Sequence, residues 1–342
     1  MAKRVTLADI ARHTGLSAAT VSMALNDRPD SRIPERTAGR VRAAAAELGY
    51  SPDANARGLR TGRTEAIGFV SDEVTLTRYA SAMIRGLLDQ SAARGFAVMM
   101  AEAETDSARQ GHAVKALLER RIDGLIFGQM RSRQIELPHL HIPVPIVVIN
   151  GTAPGYPSVL PDEYSAGRSA VEHLIAMGHT KIGMIGRSEA HLRPEVSATI
   201  PARMRGIDDV MEEAGLSFAL EVHGSRWEPE LGYQGAKRIL DSSDITALLA
   251  TNDRVAFGAM QAAQALGLSI PEDLSIVSFD DEDLATYVRP QLSTVRLPYR
   301  RMGEVGMDML LGSIIDGAPL KTETVLVPMS LIKRGSVSDI RS

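Results

Sequence analysis

The strongest constraint on the fold is the alternation, from Glu65 onward, of short apolar runs with amphipathic stretches. Each run is long enough for a strand and apolar throughout, so both faces of the strand are expected to be buried. Buried strands separated by helices predict parallel, doubly wound sheets. The runs form two sets, AIGFV, AVMMA, GLIF and PIVVIN, then KIGMIG, ALLA and LSIVSF. The sequence therefore predicts an α/β body with two lobes.

The end of the chain is expected to pass back between these lobes. Residues 290–298 have the pattern of a crossing strand, followed by a helix over 299–315 and a last strand near Thr324–Val327. Several connections between two lobes would form a hinge that allows closure around a ligand. The predicted two-lobed domain covers residues 64–335, with lobe one at about 64–162 and 291–322 and lobe two at about 163–290 and 323–335.

The first part of the chain predicts two short helices around a glycine turn. Thr6 and Ser17 are good N-cap residues, and Gly15 ends the first helix. A third helix near residues 34–48 completes a predicted all-α head at residues 1–50. This is helix-turn-helix geometry, although any helical hairpin with a glycine turn would show the same local pattern.

Charge is distributed unevenly along the chain. Residues 1–62 hold ten basic and six acidic side chains, a net charge of +4, whereas the whole chain carries −4 and the remainder therefore −8. A basic head on an acidic body fits a module that binds a polyanion and is joined to a sensor. A solvated basic face without a partner would give the same count.

A linker at residues 51–63 joins the head to the body. Pro52 and Asp53 could begin one short helix over residues 54–60. So short a helix is unstable alone in water, and Gly58 disfavours it by about 1 kcal/mol relative to alanine. We expect this linker segment to be disordered when free and ordered when bound.

Several classes of protein lack their signatures here. The chain has no cysteine and no run of about 18 apolar residues, so neither a disulfide framework nor a membrane span is expected. HExxH, P-loop and GxSxG motifs are absent, which argues against an enzyme, a metal site or a cofactor. Asp162 and Asp280 could imitate the carboxylate pair of a glycosidase, but nothing else supports that. We expect a cytoplasmic protein that is not an enzyme.

Five segments carry a family resemblance. They are VTLADIARHTGLSAATVSMALN, ELGYSPDANARGLRTGRT, HLIAMGHTKIGMIG, ATNDRVAFGAMQAAQALGL and IVSFDDEDLA. Together they resemble the LacI/GalR family of bacterial transcription regulators, and the resemblance spans nearly the whole chain. It implies a homodimer that binds a palindromic DNA operator. It also implies a periplasmic-binding-protein-like body whose small-molecule effector changes the affinity for DNA.

By this resemblance the second helix enters the major groove. Ala18, Ala19 and Met23 fall at positions that commonly contact bases, where many relatives carry long polar side chains. Apolar side chains can contact only groups such as the thymine methyl. Leu59, with Ala56 beside it, matches the leucine that relatives insert into the minor groove. Contacts to phosphates are expected from Thr6, Ser17, Thr20, Ser22 and Asn26.

The effector site is expected beyond the carboxyl ends of the strands, where open parallel sheets bind ligands. By the resemblance, Arg203, Asn252 and Asp280 match positions that hydrogen-bond effector hydroxyls. Trp227 matches a position that stacks on the ligand in some relatives, although it could instead belong to the core. Asp253 is expected only to cap the following helix. Further candidates at strand ends are Leu76, Arg78, Tyr79 and Asp162, the last of which could instead be a cap.

We therefore predict a dimeric transcriptional repressor whose affinity for DNA falls when a sugar binds. One alternative is a regulator that needs a non-sugar corepressor. Another is a sugar-binding or sugar-acting protein with no regulatory role. The sequence names neither the effector nor the operator.

Overall fold

The computed structural model describes residues 5–25, 33–50, 62–73, 80–103 and 106–341. The chain divides into two compact units, Met1–Thr64 and Glu65–Ser342. The predicted hinge helix over residues 54–60 lies outside the described residues and stays a prediction. In the described part of the chain, every helix is too short or too polar to cross a membrane.

The described residues of the head form the helices α1 (Leu7–Thr14), α2 (Ala18–Leu25) and α3 (Glu35–Glu47). Thr6 and Asp9 make a reciprocal capping box at the start of α1. Gly15 ends α1 with a φ of 71°, a left-handed conformation that favours glycine. Ser17 Oγ accepts a hydrogen bond from the amide of Thr20 at 3.1 Å, which begins α2. Local capping therefore fixes the turn between α1 and α2.

The core of the head is small. Ile10, Val21 and Val41 are fully buried, and the other buried apolar residues around them are alanines. Alanine removes little apolar area from water, so this core contributes little to stability. The head is therefore expected to gain stability from whatever it binds.

The body follows the predicted alternation of strands and helices. Its first part contains β1 (Ala66–Ser71), α4 (Ala80–Ala93), β2 (Ala97–Glu102), α5 (Ser107–Glu119), β3 (Gly124–Gln134), β4 (Ile146–Thr152) and β5 (Ser158–Pro161). Its second part contains α6 (Glu163–Ala176), β6 (Ile182–Arg187), a 3-10 turn at Glu189–Leu192, α7 (Ile200–Glu213), β7 (Leu220–His223), α8 (Pro229–Ser242), β8 (Ala247–Ala250), α9 (Asp253–Ala265), β9 (Ser275–Asp280) and α10 (Asp283–Tyr287). The chain ends with β10 (Ser293–Arg296), α11 (Tyr299–Asp316), β11 (Thr324–Val327) and β12 (Ser330–Ile332).

These strands form two sheets, one in each lobe. The first has the order β11-β5-β4-β3-β1-β2, with all neighbouring strands parallel. The second has the order β12-β10-β9-β8-β6-β7, in which β12 alone runs antiparallel to its neighbour. Large side chains such as Phe69, Phe127 and Phe279 are fully buried in their strands. The predicted fold, an all-α head and a two-lobed body of parallel sheets, is confirmed.

The predicted lobe boundaries near the end of the chain need correction. Residues 291–322 were assigned to lobe one, but β10 pairs with β9 in the second sheet. Residues 323–335 were assigned to lobe two, but β11 pairs with β5 in the first sheet. The chain thus crosses between lobes three times, after β5, after β10 and after β11. An isolated apolar run shows that a strand forms but not which sheet it joins.

Three helix pairs pack with their backbones in close contact through reciprocal glycines. A Cβ atom on Gly232 of α8 would lie 1.9 Å from the carbonyl oxygen of Val255 in α9. A Cβ atom on Gly258 of α9 would lie 1.8 Å from the carbonyl oxygen of Pro229. No larger residue fits at such distances. The same arrangement joins α6 to α7 through Gly167 and Gly206, and α4 to α11 through Gly86 and Gly303.

Candidate functional site

The outward face of α2 is small and apolar. Ala18 and Ala19 are exposed, and Met23 is 40% exposed, whereas Val21 and Ala24 are buried against the other helices of the head. The three outward residues are those expected to contact bases. Such a face offers apolar contact to base edges but no bidentate hydrogen bonds, so direct reading of sequence by α2 is limited.

Three of the polar residues expected at phosphates, Thr6, Ser17 and Thr20, take part in capping contacts within the head. The Thr6 hydroxyl donates to the Asp9 carboxylate at 2.7 Å. Ser17 Oγ and Thr20 Oγ1 lie 2.8 Å apart. A capping hydroxyl still has a lone pair with which to accept further hydrogen bonds. Asn26, Ala56 and Leu59 lie outside the described residues.

Arg203 lies in a buried ion pair at the carboxyl ends of the second sheet. Its Nε and Nη2 donate to the two carboxylate oxygens of Glu163 at 2.6 and 2.7 Å, and Nη1 donates to the carbonyl of Thr251 at 2.8 Å. Arg203 is 2% exposed and Glu163 is 3% exposed. Burial opposes the guanidinium charge, yet Glu163 holds the pKa of Arg203 above its ordinary value. Glu163, which follows β5, thus neutralises the arginine expected to bind effector hydroxyls.

Asp280 lies at the end of β9 with a φ of 105°, which is unusual for any residue other than glycine. Burial raises the pKa of its carboxyl to about 8, although the charge of Arg203 opposes this. The carboxylates of Asp253 and Glu282 raise the pKa further. At neutral pH the Asp280 side chain is therefore mostly the uncharged acid, which can both donate and accept a hydrogen bond.

The helix cap expected at Asp253 is made by Asn252. Asn252, expected to bind effector, caps α9, because its Oδ1 accepts from the amide of Val255 at 2.9 Å. Asp253, expected to be the cap, is fully buried, and its carboxylate accepts from the Thr294 hydroxyl at 2.7 Å and from the amide of Glu282 at 2.6 Å. Both residue types can cap a helix. Which of the two does so depends on where β8 ends and α9 begins. Asp253 thereby fixes the loop that carries Asp280.

Trp227 is half-buried beside Arg203. Its indole Nε1 donates to the carbonyl of Gly186 at 2.7 Å, which fixes the plane of the ring. The guanidinium carbon of Arg203 lies 6.0 Å from the ring centroid. The His191 ring packs edge-on against the indole, with centroids 4.5 Å apart and an interplanar angle of 72°. An imidazole thus covers part of the tryptophan that was expected to stack on a ligand.

Asp162 caps α6. Its two carboxylate oxygens accept from the amide and the hydroxyl of Ser165, at 3.2 and 2.7 Å. Of the two interpretations that the sequence left open for Asp162, these contacts favour the helix cap. Leu76, Arg78 and Tyr79 lie outside the described residues, so their assignment to the effector site stays a prediction.

A cavity of about 520 Å³ opens beside Asp280. One wall is the loop after β9, and the others are the crossing after β10 and the start of α4 in lobe one. Its lining contains five carboxyl groups and three guanidinium groups, on Asp280, Asp281, Glu282, Asp283, Glu304, Arg296, Arg300 and Arg301. The volume is that of a typical small-molecule site, and the acidic excess disfavours an anionic ligand.

The structure adds residues to this region that the sequence did not single out. Glu163 looked like an ordinary acidic residue in the first turn of a helix. Tyr299, whose hydroxyl pKa is raised by burial and by Asp280, lines the cavity at the crossing between lobes. His191 follows a strand end, which was the one signal that could have indicated it.

Comparison with known proteins gives the same pattern of head and body. The model of bacterial regulatory proteins of the lacI family matches residues 6–53, and the periplasmic binding protein-like domain matches residues 171–337. The HTH-type transcriptional repressor PurR of Yersinia enterocolitica is 31% identical over 343 residues, covering 98% of this chain and 97% of the relative.

Two solved structures of regulators are also similar to this chain over most of its length. The lac repressor dimer bound to operator and the anti-inducer ONPF is 28% identical, with a TM-score of 0.77 over 98% of this chain and 100% of that one. A LacI-family regulator from Rhizobium etli is also 28% identical, with a TM-score of 0.73 over 81% of this chain and 100% of that one. The resemblance inferred from the sequence is thus confirmed: the chain belongs to the LacI family of bacterial regulatory proteins and is a DNA-binding transcriptional repressor.

Proposed function

We propose that this repressor acts as a cytoplasmic homodimer on a palindromic operator and releases it when an uncharged, hydroxylated small molecule, a sugar, binds between the lobes. The observation that carries the proposal is the buried pair of Arg203 with Glu163 next to the uncharged Asp280. Together these groups supply donors and acceptors for hydroxyls without a net positive charge.

The charges of the Arg203–Glu163 pair and those around the nearby cavity favour an uncharged ligand over an anionic one. Glu163 occupies two N–H groups of Arg203, the planar donors with which arginine grips a carboxylate or phosphate. The cavity lining itself has more carboxyl than guanidinium groups. A phosphate or carboxylate ligand would therefore have to displace Glu163, whereas a hydroxyl could share the existing donors.

The effector class is testable on the purified full-length chain. A thermal-shift screen against uncharged sugars, sugar phosphates and carboxylates should select uncharged sugars, because a true effector stabilises the folded state by mass action. A hit should bind Asp280→Ala at least about tenfold more weakly, since hydrogen bonds to this carboxyl are lost. Selection of anionic compounds instead would contradict the proposal.

Whether the ligand weakens or strengthens binding to the operator decides between an inducer and a corepressor. The operator can be obtained by selecting bound sequences from random DNA and then titrated with and without the hit. A weaker affinity for operator with ligand supports induction. A tighter affinity would identify a corepressor, the alternative favoured by the lac repressor structures that hold ONPF or ONPG in operator-bound or repressed states.

The linker supplies a second, independent test of DNA recognition. Because the α2 residues expected at bases offer only apolar contact, we propose that insertion of Leu59 into the minor groove supplies much of the specificity. Leu59→Ala should lose binding to the selected operator while keeping much of the salt-sensitive binding to scrambled DNA. Equal losses on both DNAs in gel-shift titrations would rule the insertion out. Sedimentation of the full chain tests the dimer.

A further inference from the structure

The segment between β6 and α7, residues 188–198, connects the two lobes directly. It leaves the second sheet, yet the carbonyl of Pro194 accepts from the amide of Gln134 at 2.9 Å, and the amide of Ala198 donates to the carbonyl of Ser132 at 3.0 Å. Ser132 and Gln134 lie on β3, in the first sheet. We call residues 188–198 the lid segment.

The attachment point on lobe one is held firmly. Arg133, between the two lid contacts, donates to the Asp72 carboxylate at 3.1 Å. Asp72 is 1% exposed, and it also accepts from the amide of Met130 at 2.8 Å. A movement of the lid segment relative to lobe two would therefore act on the end of β3 and not on a loose loop.

The other end of the lid segment reaches the candidate effector site through His191. Its ring contacts Trp227, and its Nδ1 is buried without a hydrogen-bond partner among the described residues. Thr251, whose carbonyl accepts from Arg203, likewise has a buried hydroxyl for which the described part of the chain provides no partner. Buried polar atoms are normally paired, so two such atoms beside one arginine indicate a place for a polar ligand.

We propose that the lid segment covers the effector site and that His191 is a ligand-contacting residue, bonding a ligand hydroxyl through Nδ1. The inference rests on the proposed function, because it assigns a residue to that same site. Its consequence is a direct route from ligand to lobe one: a ligand that holds His191 also holds the backbone bonds of the lid segment to β3.

Two substitutions at His191 separate packing from hydrogen bonding. His191→Phe keeps a ring against Trp227 but has no ring nitrogen, whereas His191→Ala removes both. Leu192→Ala is the matched control, since Leu192 is the next residue of the lid segment and is 47% exposed. Trp227 is the only tryptophan of the chain, so its fluorescence reports on this place alone.

Acrylamide quenching of Trp227 tests the lid. His191→Ala should raise the quenching constant about twofold, because removing the imidazole uncovers part of the indole. Wild type, His191→Phe and Leu192→Ala should give the same low value. Equal quenching in wild type and His191→Ala would overturn the lid.

Titration of the full chain with D-ribose, D-glucose, sucrose and cellobiose, followed by Trp227 fluorescence, tests the ligand contact. A sugar that binds the wild type should bind both His191 variants about tenfold more weakly, as expected for one lost hydrogen bond, and bind Leu192→Ala unchanged. Wild-type affinity in His191→Phe would overturn the contact. If none of the four sugars binds the wild type, the titration uses the sugar selected by the thermal-shift screen; absence of any sugar there overturns the sugar proposal, and the acrylamide result alone then decides the lid.

Discussion

Replacing Asp280 by asparagine should remove one component of the pH dependence of stability. Burial raises the pKa of this carboxyl to about 8 in the folded chain, whereas an unfolded aspartate has a pKa near 4. Between these values the folded state holds a proton that the unfolded state has released. The free energy of unfolding must therefore fall as pH rises through this window.

The expected size follows from the same pKa. From pH 6 to pH 9 the wild type should lose about 3 kcal/mol from this carboxyl, at about 1.4 kcal/mol for each pH unit below its folded pKa. Asparagine has nearly the same shape and no charge to bury, so the variant lacks this loss. Asp253, whose pKa burial raises to about 6, contributes mainly at lower pH and is present in both proteins.

Urea unfolding followed by circular dichroism at pH 6, 7, 8 and 9 measures the effect on the full-length chain. Asp241→Asn is a suitable control, because it removes the charge of an exposed carboxyl in α8. Relative to Asp280→Asn, the free energy of unfolding of the wild type should fall by about 3 kcal/mol between pH 6 and pH 9, so the difference between the two curves widens over this range. Parallel pH profiles for the two proteins would refute an uncharged Asp280.

Three further substitutions test the architecture through urea unfolding. Glu163→Gln should cost about 3 kcal/mol because it leaves a buried guanidinium without its carboxylate, whereas Glu213→Gln, which breaks an exposed bidentate pair, should hardly change the midpoint. Gly232→Ala should cost about 3 kcal/mol through backbone overlap, whereas Gly111→Ala, with open space around it, should be neutral or stabilising. Asp162→Ala should cost about 1 kcal/mol, the worth of a helix cap, with unchanged effector affinity.

Much of the fold was predictable because its elements have strong local signals. The run AIGFV became β1, buried at every position, and Thr324–Val327 matched β11. The short strand β12 and helix α10 were not predicted, because three to five residues give no usable period. Sheet membership near the chain end was wrong, since pairing of β10 and β11 depends on tertiary contacts.

The candidate site was less predictable than the fold. Family resemblance indicated Arg203, but its partner Glu163 lies forty positions away, and no local pattern links them. Asn252 and Asp253 are adjacent and chemically similar, so only the three-dimensional register of α9 separates the cap from the buried acceptor. His191 reaches the site because the segment after β6 brings its ring against Trp227. The hydrophobic periodicity of the sequence does not predict such a contact.

The glycine pairs between helices have a consequence for how the body can move. Helices whose backbones touch cannot slide past each other without collision of their carbonyl groups. Each of the three helix pairs, α8 with α9, α6 with α7 and α4 with α11, is therefore expected to move as one rigid unit. We therefore expect the lobes to move mainly by rotation at the three crossings after β5, β10 and β11, and two of these border the cavity and the buried arginine. A small molecule bound at that place, as we propose, would lie beside the connections between the lobes, where a small local displacement can become a rotation of a whole lobe.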